Sequence, residues 1–412
     1  MGVVIIGAGQ AGVQAADSLR SGGYEGAVTV VAGEAGLPYQ RPPLSKDWLM
    51  PDSPEPALLP LRPAEFFDRE NVTLLHAAAE AIDRSARTVQ LGDGRELPYE
   101  HLVLATGSRP RPLPAPGADL PGILQLRTAA DAAALRAGLG TARSVVVVGA
   151  GFIGLEVAAA ARAHGCKVTV LEFAPRPMAR ALTPRMGQWF AQAHADLGID
   201  LRLGEGINAF TAGPDGRVAA AVSTSGAEYP ADLVVVGVGV LPNQELAEAA
   251  GLETGNGIVV DAGLRTADPR IFAVGDAAAF PGGPDGALVR LESVPNAVDQ
   301  GRHVAAAILG SGEPYRSLPW FWSTQGPYRL QMAGLALPDD ETVLLGRPED
   351  GAFAVLCFRG GVLAAVETVN LPSEHLGARK LLEAGAQVTP ADAAAAEFSL
   401  RGAAKAARRA RA

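Results

Sequence analysis

"SVVVVGAGFIGLEVAAAARAHGCKVTVLE", residues 144–172, packs a complete structural unit into 29 positions. An apolar run at 145–148 suits a strand buried on both faces. Gly149, Gly151 and Gly154 follow at G-x-G-x-x-G spacing and open a helical stretch. A second apolar run at 168–171 ends on Glu172. In such a βαβ unit the first glycine makes the tight turn and the second lets backbone approach a pyrophosphate. The third lets helix and strand pack closely, and the terminal acid hydrogen-bonds a ribose. A single glycine motif is weak evidence, but this one has a twin. "MGVVIIGAGQAG" (1–12) places Gly7, Gly9 and Gly12 after the run 3–6; a helical stretch, a second apolar run at 28–31 and Glu34 follow. Two fingerprints about 140 residues apart imply two dinucleotide-binding folds of α/β class. Two dinucleotides in one chain suit a flavin and a nicotinamide, a hydride acceptor and its donor. Glu172 favours the free 2′-hydroxyl of NADH over a 2′-phosphate, with Arg176 and Arg180 close downstream as the opposing feature.

Composition narrows the rest. A chain of 412 residues needs more than one core. A net charge of −9 speaks against nucleic acid as the main partner, and the one basic stretch, "RGAAKAARRARA" (401–412), reads as a solvated helical end. Only two cysteines occur, Cys166 and Cys357, which excludes a disulfide framework and is too few for an iron–sulfur cluster. The six histidines form no ligand spacing, so no metal site is expected. There is no apolar run long enough to span a bilayer and no signal-peptide pattern at the start, so a cytoplasmic location is expected.

Three further segments carry a family resemblance. "LVLATGSRPRPLP" (102–114), "DLVVVGVGVLPN" (232–243) and "IFAVGDAA" (271–278) resemble the places where two-dinucleotide flavoproteins leave the FAD domain, return to it, and bind the flavin's ribityl chain through an acid, here Asp276. Together they are similar to the glutathione-reductase-like fold. That resemblance implies an FAD domain in two parts (1–110 and 239–317), an NAD domain between them (111–238) and a C-terminal α+β domain (318–412) that serves as flavin lid and as a partner or dimer surface. "PYQRPPLSKDWL" (38–49), "LESVPNAVDQG" (291–301) and "PWFWSTQG" (319–326) narrow it to the FAD-dependent NADH–ferredoxin reductases of bacterial oxygenase systems. "PWFWSTQG" sits closest to the biphenyl- and benzene-dioxygenase components, and putidaredoxin and rubredoxin reductases are also similar. Thr324 stands where the dioxygenase-type pattern has aspartate. No cysteine pair follows the first βαβ unit, so no thiol relay is available.

The resemblance implies roles residue by residue. Lys46 would lie near the reactive edge of the flavin and pair with Glu156, which would also contact the nicotinamide. Trp320 would stand between flavin and ferredoxin, leaving Trp322 as packing. Arg41, Ala79, Ala105, Arg127 and Val294 match FAD contacts, and Gly239 and Arg180 match the NAD side. A hydride would pass from NADH to FAD, and electrons would leave singly to a 2Fe–2S ferredoxin, Rieske-type or plant/vertebrate-type, that feeds a terminal oxygenase, an aromatic-ring dioxygenase first. A rubredoxin reductase or a cytochrome P-450 system reductase is the close alternative. An NADH-responsive flavoprotein similar to apoptosis-inducing factor is the alternative of another class. Lys46 is expected at the start of a helix.

Overall fold

The computed structural model describes residues 1–53 and 57–411. Its chain divides into two compact units. The first comprises Met1–Gln40, Leu58–Arg109 and Val240–Pro319; the second comprises Arg41–Ala57, Pro110–Gly239 and the chain from Trp320 onward.

The first unit is built on a parallel sheet in which Val72–His76, Val28–Ala32, Gly2–Ile6, Glu96–Leu104 and Ile271–Ala273 lie side by side. Val3 pairs with Val28, and Ile6 pairs with both Val31 and Leu104. These strands are apolar almost without interruption because helices cover both faces of such a sheet. Ile5, Val30, Leu102 and Leu104 are fully buried. Thr88–Leu91 and Ala79–Asp83 extend the sheet as an antiparallel ribbon. Helix Gln10–Ser21 buries Ala11, Val13, Ala15, Ala16 and Leu19. Helix Val294–Ile308 crosses it so closely that a Cβ at Gly301 would lie 2.6 Å from the Ala11 carbonyl oxygen.

The second unit repeats the architecture. Ile199–Leu203, Lys167–Glu172, Ser144–Val148, Leu233–Val236 and Ile123–Leu124 form a parallel sheet, flanked by helices Phe152–Ala163 and Pro184–Asp196. The predicted strands each gain a residue or two at their ends, where pairing continues past the apolar run. From Trp320 the chain forms a five-stranded antiparallel sheet in the order Trp320–Gln325, Tyr328–Gly334, Val362–Val369, Ala352–Arg359, Glu341–Arg347. One face of this sheet packs under helices Pro372–Glu383 and Leu400–Arg411 around Leu356, Phe358, Val366 and Leu381.

One local expectation is corrected. Lys46 does not open a helix. It sits at φ −121°, ψ −108°, between the 3-10 turns Pro42–Ser45 and Asp47–Leu49. The two prolines fix φ in the first turn, and the Lys46 backbone then leaves the helical region, which ends it. The segment Arg41–Ala57 groups with the second unit. Arg136 reaches the carbonyls of Trp48 and Met50, and His164 Nε2 bonds the Leu49 carbonyl at 2.7 Å.

Candidate functional site

The two glycine turns have the same geometry, and in both the three glycines have different reasons to be glycine. Gly7 (φ 109°) would place a Cβ 2.1 Å from the Ala105 carbonyl oxygen, and Gly12 would place one 1.9 Å from the Gly7 oxygen. Gly149 (φ 101°) meets the Gly237 oxygen at 2.5 Å and Gly154 meets the Gly149 oxygen at 2.1 Å in the same sense. The outer glycines are therefore demanded by the protein itself. Gly9, at φ −78°, would meet nothing within 4 Å, and Gly151 only the Gly237 oxygen at 3.9 Å. The middle glycines leave open space in front of two 12-residue helices, neither of which has a side-chain cap, although Ser293, Thr183 and Thr128 cap other helices of this chain. Uncapped N–H groups behind open space fit a pyrophosphate.

In the first unit Ala105, Asp276 and Glu34, which the resemblance assigns to FAD, follow the carboxyl ends of parallel strands, where such folds bind ligands. Buried Ala105 donates its N–H to the Ile6 carbonyl at 2.8 Å. Asp276 lies in the turn Gly275–Ala277 and accepts from Ser108 Oγ at 2.8 Å. Gln300 Oε1 holds the preceding N–H, of Gly275, at 2.7 Å. Val294 opens its helix behind the Ser293 cap. Glu34 follows the second strand and accepts from the Tyr39 hydroxyl at 2.6 Å. Ala79 stands farther off in the antiparallel ribbon and starts its first strand.

Lys46, Arg41, Arg127 and Trp320 belong to the second unit, together with the second glycine turn. Glu156 projects from helix Phe152–Ala163 and is 3% exposed, which demands that its carboxylate be paired and fully hydrogen-bonded. Lys46 Nζ bonds Oε2 at 2.9 Å, and Ser45 Oγ donates to the same oxygen. Ser323 Oγ donates to Oε1 at 2.6 Å and the Thr324 N–H reaches it at 3.3 Å. Behind Ser323, Gln325 Nε2 donates to Ser323 Oγ at 3.2 Å, and His194 Nε2 bonds Gln325 Oε1 at 2.7 Å. Burial holds His194 below the usual histidine range, which keeps it neutral. Arg41 Nη1 donates to the Arg127 carbonyl at 2.6 Å, so the structure brings these two arginines together.

Strand alternation explains how "PWFWSTQG" is used. Phe321, Ser323 and Gln325 face the helix that carries Glu156, with Phe321 packed on Phe152 at 4.6 Å between centroids. Trp320 and Trp322 share the opposite face and stack at 5.5 Å. Arg379 lies 4.2 Å over the Trp320 ring, and buried His375, lowered to about 4 by burial, then Arg379 and Arg329, stands 5.8 Å away. On the nucleotide side, Glu172 accepts from the Ala150 N–H at 2.6 Å and the Ala174 N–H at 2.7 Å. A Cβ at Gly239 would lie 3.3 Å from Arg180 Nη2, so these two predicted residues are also neighbours.

Ser45, Ser323, Gln325 and Ser108 were missed by the sequence reading. All four lay inside quoted motifs, where period-two alternation could have singled out Ser323 and Gln325. Nothing local pointed to His194.

Residues 1–301 match the family model described as pyridine nucleotide-disulphide oxidoreductase, and residues 320–404 match one described as reductase C-terminal. The chain belongs to the pyridine nucleotide-disulphide oxidoreductase family. It is 51% identical over 402 residues to rhodocoxin reductase of Rhodococcus erythropolis, covering 97% of this chain and 94% of that protein. Among solved structures it is similar to the ferredoxin reductase for the CYP199A2 system from Rhodopseudomonas palustris, at TM-score 0.94 and 45% identity over 98% of this chain and 99% of the other. The covalent putidaredoxin reductase–putidaredoxin complex gives TM-score 0.94 and 38% identity, covering 99% of each. The fold is glutathione-reductase-like, and this pyridine nucleotide-disulphide oxidoreductase is an enzyme that uses FAD and a nicotinamide dinucleotide. Despite the family's description, both cysteines of this member are free and buried. No described helix is long and apolar enough to cross a membrane.

Proposed function

We propose that this chain is the NADH-dependent ferredoxin reductase of an oxygenase system, a cytoplasmic electron-transfer enzyme whose partner is a 2Fe–2S ferredoxin. The observation that carries the reading is the pairing of two open glycine turns with the absence of any exposed thiol: Cys166 is 1% and Cys357 0% exposed. Bound FAD supplies the chemistry, accepting a hydride from the nicotinamide and releasing electrons one at a time.

The protein's own residues bind and orient. In this reading Gly7, Gly9, Gly12, Glu34, Arg41, Lys46, Ala79, Ala105, Arg127, Asp276, Val294 and Trp320 bind FAD. Gly149, Gly151 and Gly154 receive the pyrophosphate of NADH, and Glu172 selects NADH by repelling a 2′-phosphate. Lys46 supplies positive charge where negative charge develops, and Glu156, locked by its four donors, fixes the ammonium in place. Trp320, stacked with Trp322 and lying under the Arg379 guanidinium, stands at the electron exit.

Stopped-flow kinetics test the reading. NADH should bleach the flavin within milliseconds, with turnover only when ferredoxin is added. Slow reduction to a long-lived charge-transfer complex would instead support the NADH-responsive binding protein. A Trp320→Ala variant should keep NADH-to-ferricyanide activity and lose at least about tenfold in ferredoxin reduction, about 1.4 kcal/mol of coupling. Rhodocoxin-type and dioxygenase-type ferredoxins should be compared directly, because 51% identity to rhodocoxin reductase exceeds the 43% to the anthranilate 1,2-dioxygenase reductase component of Burkholderia cepacia.

A further inference from the structure

The loop that follows Glu172 carries Arg176 and Arg180 and ends at Thr183, which caps helix Pro184–Asp196. It contains no regular secondary structure, and Met178 within it has a left-handed backbone at φ 49°. What fastens it comes largely from the C-terminal sheet. Glu367, on strand Val362–Val369 and 1% exposed, accepts from the Thr183 N–H at 2.8 Å through one oxygen and from Thr183 Oγ1 at 2.6 Å through the other. Gln325 Nε2 reaches Met178 Sδ at 3.4 Å from the neighbouring part of the same sheet. At its base the Met178 N–H bonds the Ala150 carbonyl, inside the glycine turn itself, at 2.9 Å. Arg176 Nη1 closes the loop on the Leu182 carbonyl at 2.7 Å.

A buried carboxylate is expensive, and an apolar residue at 367 would fill a sheet face at lower cost. Its two bonds converge on one residue, the hinge between loop and helix. We propose that Glu367 is a positioning residue that latches the loop of residues 173–183 to the C-terminal sheet and so sets Arg180 for NADH binding. The inference rests on the reading of Arg180 and Gly239 as nucleotide-side residues, and it extends that site to a residue on a different sheet.

The latch has a pH signature. Burial pushes Glu367 up to about 7, against the Thr183 hydrogen bonds and the Arg176 charge that pull it down. Cys357, on the neighbouring strand of the same sheet, is itself pushed up by burial and then by Glu367, and so stays neutral. A carboxyl that ionises less readily when latched than when released favours release as pH rises. The acid form keeps the loop docked, with one oxygen accepting the Thr183 N–H and the hydroxyl bonding Oγ1. Glu367→Gln copies that form at every pH.

Steady-state kinetics with NADH, using ferricyanide as acceptor, test this on the FAD-loaded enzyme. In the wild type KM for NADH should rise about fivefold between roughly pH 6 and pH 8 while kcat changes little. Glu367→Gln should hold the low KM across that range, and Glu367→Ala should show the high KM throughout. If the alanine variant does not fold, the glutamine profile decides. A wild-type KM that does not move with pH, or a glutamine variant that follows the wild type, overturns the latch. Arg180→Ala separates the two levels. A raised KM with no effect of Glu367 rejects the latch alone, whereas an unchanged KM removes Arg180 from the nucleotide site and the latch with it.

Discussion

At the scale of single residues, the glycines of the two turns separate structural from functional demand. An alanine at Gly12 would force its Cβ into the Gly7 carbonyl at 1.9 Å, where only backbone movement can relieve the clash. Gly12→Ala should therefore destabilise the protein by about 1–3 kcal/mol, measured by denaturant unfolding of the apoprotein. Gly9 has allowed φ for any residue and an empty Cβ position. Gly9→Ala should leave apoprotein stability unchanged within about 0.5 kcal/mol yet weaken FAD binding at least tenfold in a fluorescence titration. Equal effects of the two substitutions would mean that the space in front of Gly9 is not a cofactor site. Both turns were legible in the sequence because their demands are local, set by a backbone that must turn and be approached. The partners of Glu156 were only half legible. Lys46 could be paired with it through motif resemblance, but Ser323 lies 167 residues away and depends on which face a distant strand presents.

At the scale of elements, the basic C-terminal stretch shows what pattern reading misses. It was read as a solvated helical end, and Leu400–Arg411 is a helix with exposed Arg401, Lys405, Arg408 and Arg409, but the helix also rests Ala403, Ala404 and Ala407 on the core beneath helix Pro372–Glu383. Gly377 permits the approach, since a Cβ there would lie 2.6 Å from the Arg401 nitrogen. Ser399 Oγ accepts from the Gly402 N–H at 3.1 Å, and Glu374 reaches across to accept from the Leu400 N–H at 2.7 Å. A carboxylate supplied by another helix thus completes the N-terminus. Glu374→Ala should fray this helix by about 1 kcal/mol, seen as faster amide exchange at residues 400–404 with helix Pro372–Glu383 unchanged. No exchange difference would show that packing of the alanines alone holds the helix.

At the scale of the whole molecule, the chemistry depends on how electrons leave. Cys166 lies under the end of a helix, with Sγ 3.3 Å from the Ala142 carbonyl oxygen, and burial raises both thiols above the usual range. Thiolate character and access are what reactive cysteines need. Iodoacetamide should leave NADH-dependent ferredoxin reduction within about 20% of the untreated rate, and Cys166→Ala with Cys357→Ala should retain it. Loss of activity that tracks alkylation would restore a thiol route. The sequence by itself determined the two dinucleotide folds, the place of both glycine turns and the lack of a cysteine pair, because these follow from short runs whose spacing carries its own steric logic. Only the tertiary structure decided that residues 41–57 belong with the second unit, that one strand divides its tryptophans from its serine and glutamine, and that Glu367 holds a loop 184 residues away in sequence. Those contacts rest on strand register and buried hydrogen bonds between distant segments, and a side chain's neighbours across a sheet are set by that register, not by its neighbours along the chain.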